Sequence, residues 1–176
     1  MSISVETGRY EQEASFRGSL LTTSISPSFM EGRSYRAYKE FTANTVLRFV
    51  ATKPFMLTLQ SLWTDTGAAK LTVLTGGTAG GTFVALPTVF ARNGTVTPVP
   101  APDVVITQGG TVTGGAEREV LRVTAGGGLL TAAAGAGGQL GSARKLPAGT
   151  YFISITVSGT TSGIYSLEYD ELSPAL

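Results

Sequence analysis

The sequence predicts an all-β protein, a β-sandwich or jelly roll with an extended N-terminal arm, and three observations carry that expectation. Short β-branched and aromatic runs recur at spacings of about 8–12 residues between glycine-rich turns. No segment sustains the 3.6-residue apolar period of an amphipathic helix. Glycine is abundant, at 23 of 176 residues, while charged residues make up only 14%, against roughly 25% in an average domain.

The chain divides into an arm, residues 1–33, and a β-sandwich domain, residues 34–176. The arm holds isolated apolar residues, Tyr10, Phe16, Leu20, Leu21, Ile25, Phe29 and Met30, among charges and a Ser/Thr cluster. Their spacing follows neither the helical nor the strand period, so the arm reads as a meander lacking strong structure of its own. Such a terminus orders only when tied down. It either docks on a neighbour or lies as an edge strand over its own domain.

From Ser34 onward the expected strands are 35–41, 45–51, 54–63, 69–75, 82–86, 88–91, 103–107, 119–124, 150–157 and 164–169. Thr64-Asp65-Thr66-Gly67, Gly76-Gly77, Asn93-Gly94 and the stretch 158–163 punctuate them as turns. Residues 95–102, with three prolines, read as an extended surface segment. The glycine-rich stretches 108–115 and 126–141 interrupt the pattern. The second is too poor in large side chains to build core, and is either a mobile loop or a protrusion packing on a symmetry mate. The best helical stretch, 129–136, is flanked by glycines and is not expected to persist.

Thirteen Lys and Arg against twelve Asp and Glu leave a net charge of +1. The cations are scattered, so no nucleic-acid surface is expected. Low charge with moderate hydrophobicity points to a surface covered by identical neighbours. The start of the chain lacks the basic region and apolar core of a signal peptide. No run of about 18 apolar residues suggests a membrane span. The protein is expected to be made in a cytoplasm and to work where it is assembled.

Chemistry is constrained by what the composition lacks. With no cysteine and no histidine, the chain has no disulfide, no thiolate and not the commonest general base or metal ligand. Serine–lysine catalysis would depend on Lys39, Lys53, Lys70 or Lys145. Two-carboxylate chemistry would need two acids at one cleft, and nothing in the sequence brings a particular pair together. The Gly-Gly clusters near Gly76 and Gly109 lack the lysine and helix of a phosphate loop, and read as turns. Glu168, Asp170 and Glu171 could attract a hard cation. Strand alternation splits them between two faces, and a solvated strand end is the plainer reading. Tyr151, Phe152, Tyr165 and Tyr169 fall at strand positions and read as core and cross-strand pairs. No catalytic, cofactor or metal site is expected, and the chain reads as a non-enzyme.

Residues 32–171, about four fifths of the chain, resemble the head-decoration, or cement, proteins of tailed bacteriophages. The motifs that carry the resemblance are the opening strand pair from Tyr35 to Val50, Leu57-Thr58-Leu59-Gln60-Ser61-Leu62-Trp63, and the strand–turn–strand segment from Leu71 through Gly76-Gly77-Thr78 to Thr82. They continue with Pro87 to Asn93, Leu146-Pro147-Ala148-Gly149-Thr150-Tyr151 and the closing Leu167-Glu168-Tyr169-Asp170-Glu171. The chain departs from the pattern in keeping only Arg92 and Asn93 of an Asn/Arg-rich stretch, and in the loop 126–141. The resemblance implies a homotrimer on the virion surface, at local threefold positions, bridging subunits of the major capsid protein through many weak contacts. It makes Tyr10, Phe16, Leu20, Leu21, Phe29 and Met30 the expected partner-binding residues of the arm. A tail, collar or fibre-base component of the same virion is the nearest alternative. A carbohydrate-, receptor- or calcium-binding β-sandwich is the other.

Overall fold

The computed structural model describes residues 3–6, 9–16, 19–124, 131–132 and 143–172. Among them the elements run in the order β1 (Ile3–Glu6), β2 (Arg9–Phe16), β3 (Ser19–Ile25), α1 (Pro27–Met30), β4 (Ser34–Phe41), β5 (Thr45–Ala51), β6 (Phe55–Thr75), β7 (Thr78–Ala85) and β8 (Val89–Ala91). They continue with β9 (Val104–Thr113), β10 (Ala116–Thr124), β11 (Thr131–Ala132), β12 (Arg144–Leu146) and β13 (Gly149–Glu171). The protein is all-β, as the sequence predicts, and among the described residues the one helix is the four-residue α1.

Two strands organise the main sheet. β6 and β13 are antiparallel and stay paired along nearly their whole lengths, from Glu171 opposite Phe55 to Tyr151 opposite Thr75. The sequence reading splits each of them in two, with turns at 64–67 and 158–163. In the structure these are bends within continuous strands. The ladder shifts register between Ser158 and Ser162 and again at Gly163, so the ribbon folds over without reversing direction. Each half then has its own outer neighbour. β5 flanks the first half of β13 and β4 the second. β10 flanks the second half of β6, and β12 the first. β9 and β7 continue outward from β5, and β8 pairs with β4.

The bend brings the two halves of the ribbon face to face around one core. Along β5, Leu47, Phe49 and Ala51 point inward by simple alternation, as do Tyr165, Leu167 and Tyr169 along β13. Phe55, at the start of β6, meets Tyr151 and Tyr169 edge-on at 5.9 and 6.2 Å, and Tyr35 stacks on Tyr169 at 5.4 Å. Tyr151, Tyr165 and Tyr169 are buried, as their strand positions suggest, and so is Phe152, which faces Phe83 on the other side of the sheet. Each such side chain is worth about 1.5–3 kcal/mol when fully buried.

Other punctuation is also absorbed into strands. β9 runs through Gly109 and Gly110, both at positive φ. The helical stretch considered at 129–136 and the loop 126–141 fall outside the described residues, apart from the two-residue strand β11.

The bend depends on small residues. Thr161 is buried, and its Oγ1 donates to the carbonyls of Ser158 (2.7 Å) and Ala68 (3.3 Å). Gly67, at φ 69°, lies so close that a Cβ there would collide with Thr161. A Cβ at Gly163 would strike the Trp63 carbonyl and come within 2.7 Å of the Phe41 ring. Gly163→Ala is therefore expected to destabilise the fold by about 2–3 kcal/mol, read from urea melts. A change under about 0.5 kcal/mol would mean that the bend tolerates a side chain.

Candidate functional site

The densest polar constellation lies where the chain leaves the arm and enters the sheet. Ser26 caps α1, accepting from Phe29 N at 3.2 Å, and Pro27 occupies the first helical turn. This short helix is held against the end of β13. Ser28 Oγ donates to the Glu171 carbonyl at 2.9 Å, and Glu171 N donates to the Arg33 carbonyl at 2.9 Å. Ser34 Oγ donates to Asp170 Oδ1 at 2.5 Å, and Ser26 Oγ to Asp170 Oδ2 at 3.3 Å. Asn93 Nδ2 donates to the Phe29 carbonyl, while its Oδ1 accepts from Thr95 N. Residues 26–34 are thus latched to the domain.

The acids that close β13 are buried, which overturns their reading as a solvated strand end. Glu168, Asp170 and Glu171 are 8%, 9% and 3% exposed. Alternation separates Glu171 from the other two, but both faces are covered here, so all three lose solvent. Glu168 sits between Arg36 and Arg92. Glu171 Oε1 accepts from Val104 N at 2.8 Å, while Oε2 is buried without a hydrogen bond and lies 3.6 Å from Arg33 Nη1. Asp103, paired with Arg33 and Lys53, is the neighbouring negative charge.

Burial dominates the electrostatics of this latch. It pushes the Glu171 carboxyl above its usual range, Asp103 adds to that, and the Val104 N–H and Arg33 oppose it. It raises the Tyr35 phenol to about 12, with Glu171 acting in the same direction. The Tyr35 hydroxyl donates to the Pro100 carbonyl. These groups are engaged in holding the chain, not set around a cleft. Among the described residues no three acids come together to hold a metal ion.

The arm residues divide. Phe29 is half-buried, with the Arg92 guanidinium 5.9 Å from its ring, and Met30 is 49% exposed. Tyr10 and Phe16 lie on β2, and Leu20 and Leu21 on β3; their side chains fall outside the description. The backbone register nevertheless sorts them. β1, β2 and β3 form their own three-stranded antiparallel sheet, separate in hydrogen bonding from the ten-stranded one. Val5 pairs with Tyr10, Tyr10 with Ile25, and Ala14 with Leu21. Tyr10, Phe16 and Leu21 therefore share one face, and Leu20 belongs to the other. The arm has a regular pattern that its sequence spacing did not reveal.

The sequence contains one Ser-x-x-Lys spacing, Ser142 to Lys145. That spacing brings two side chains onto one face of a helix, but Lys145 is an exposed residue of strand β12. Sequence reasoning also missed Arg33, Arg36 and Arg92, whose acidic partners on β13 lie more than a hundred residues away in two of the three cases, with no local signal. The chain matches no known protein family, no characterised protein and no solved structure.

The raised Glu171 carboxyl has a consequence for stability. The folded protein holds this proton more tightly than the unfolded chain does. The group therefore favours folding below its ordinary value of 4.5 and withdraws that stability as pH rises through its raised folded value. Urea melts of the protein and of Glu171→Gln between about pH 4 and 7 are expected to show the variant gaining relative stability toward higher pH. A difference that does not vary with pH would contradict this assignment.

Proposed function

We propose that this chain is a non-enzymatic structural protein of a virion. In this reading it decorates a tailed-bacteriophage capsid as a homotrimer and bridges neighbouring subunits of the major capsid protein. The observation that carries the reading is the N-terminal sheet. Its strands pair with one another and not with the main sheet. Their register gathers Ile3, Val5, Tyr10, Phe16, Leu21 and Ile25 on one face, while Glu6, Arg9, Glu11 and Glu13 fall on the other.

A three-stranded sheet draws its stability from its apolar face, and such a face, left open to water, marks an interaction surface. The latch at residues 26–34 supplies the fixed point from which such an element can reach a neighbour. The motif resemblance of residues 32–171 to capsid cement proteins gives the neighbour its class. Cementing requires buried area multiplied by symmetry rather than a reactive group, which suits a chain without histidine or cysteine.

Light scattering on the full-length chain is expected to give a trimer. Tyr10→Asp with Phe16→Asp should reduce it to a monomer, while Leu20→Asp, on the opposite face, should leave it intact. Immunogold labelling of the parent particles is expected to show regular label over the head. Label confined to the tail or neck would replace this reading with a tail or collar component. A monomeric full-length protein absent from the particle would overturn it.

A further inference from the structure

Two adjoining hollows lie between the halves of β6; β10, β12 and the start of β13 complete the outer one, and β12, both halves of β13 and Phe49 of β5 the inner one. The outer has a volume of about 320 Å³ and the inner about 30 Å³. They share Leu57, Val73, Leu146 and Tyr151, so they stand end to end. The outer opens beside the exposed residue Arg118.

The inner hollow is lined by two fully buried polar side chains, Gln60 and Tyr165, at 1% and 0% exposure. Gln60 and Tyr165 are near neighbours, and the amide acts on the phenol as a nearby donor. Among the described residues, however, neither Gln60 Nε2 nor the Tyr165 hydroxyl closes a hydrogen bond of acceptable geometry, with the other or with any third group. Such groups are rare because each forfeits its hydration. The Gln60 amide cannot turn round to relieve this. Arg144 Nη2, which can only donate, lies 3.0 Å from Gln60 Oε1, and Arg144 is fixed by its ion pair with Glu119. The amide oxygen is thus committed to Arg144, and the NH₂ remains for the inner hollow.

We propose that this double hollow binds a small uncharged molecule with an apolar body and one carbonyl or hydroxyl oxygen at its leading end. The oxygen occupies the inner hollow, which has room for about one water-sized group, and accepts from Gln60 Nε2 with the Tyr165 hydroxyl as its second partner. The body fills the outer hollow against Leu57, Val73 and Leu146. A charged leading end is excluded, because the rest of the inner wall is apolar and an unpaired charge there would be strongly penalised. Arg144 and Glu119 neutralise one another at the rim. The inference stands independently of any role in virion assembly.

The full-length protein can be titrated with two probes of similar size, p-cresol and toluene, by calorimetry and by two-dimensional NMR. Saturable binding at one site per chain is expected. p-Cresol should bind about tenfold more tightly than toluene, the worth of roughly one net hydrogen bond, and should shift the Gln60 side-chain amide resonances. Gln60→Met should bring the two affinities together, and Leu146→Trp, which places a bulkier ring where the two hollows meet, should weaken the binding of both probes. Absence of saturable binding, or equal affinities for the two probes in the unsubstituted protein, would overturn the proposal whether or not the variants fold. Undiminished binding to folded Leu146→Trp would overturn it as well.

Discussion

The pairing of β6 with β13 is the constraint on which the rest of the structure depends. Two strands of 21 and 23 residues are long enough to serve both halves of a curled sheet, provided they can bend together. The bend is a matter of side-chain volume: Gly67 and Gly163 leave the space that Thr161, Phe41 and the Trp63 backbone occupy. Once bent, the ribbon dictates where every other strand attaches. β4 and β5 follow one another along β13, and β12 and β10 take separate halves of β6. The core is the contact between those halves. The double hollow lined by Leu57 and Val73 lies between them too, so the same bend that forms the core creates the cavity.

The latch at the end of β13 is the second consequence. Burying Glu168, Asp170 and Glu171 together would be prohibitive without partners, and the chain supplies them from α1, β4, Arg92 and the segment before β9. Arg36 and Arg92 retain solvent contact, with side chains 59% and 33% exposed, so their attraction to Glu168 is screened and contributes modestly to stability. Their clearer effect is positional. Ser26, Ser28, Arg33 and Ser34 tie residues 26–34 to the end of β13. In the proposed assembly role this anchor is the point from which the N-terminal strands extend.

Much of the fold was legible locally. The β-branched and aromatic run 45–51 marked a strand, and the strand positions of Tyr151, Phe152, Tyr165 and Tyr169 marked them as core. Continuity was not legible. Thr64-Asp65-Thr66-Gly67 carries the composition of a turn, and only the partner strand decides whether such residues reverse the chain or bend it. The acids at 168–171 were misread for a related reason: alternation describes one strand, whereas their burial comes from Arg33, Arg36, Ser34 and Arg92, distant in sequence. The amphipathic face of the arm emerged only when β1, β2 and β3 were placed in register, because Leu20 and Leu21 are adjacent and blur the period. Gln60 gave no signal at all, since a polar residue in an alternating strand ordinarily faces water.

The central functional claim is that the N-terminal sheet reaches another subunit rather than covering its own domain. Cryo-electron microscopy of the parent particle, at a resolution that traces the backbone of residues 3–25, tests this most directly. The account predicts density for β1–β3 seated on a neighbouring copy or on the capsid lattice, with the face of Tyr10, Phe16 and Leu21 turned into that contact. Density showing the three strands folded back on their own ten-stranded sheet, or a particle that lacks the protein, would contradict it.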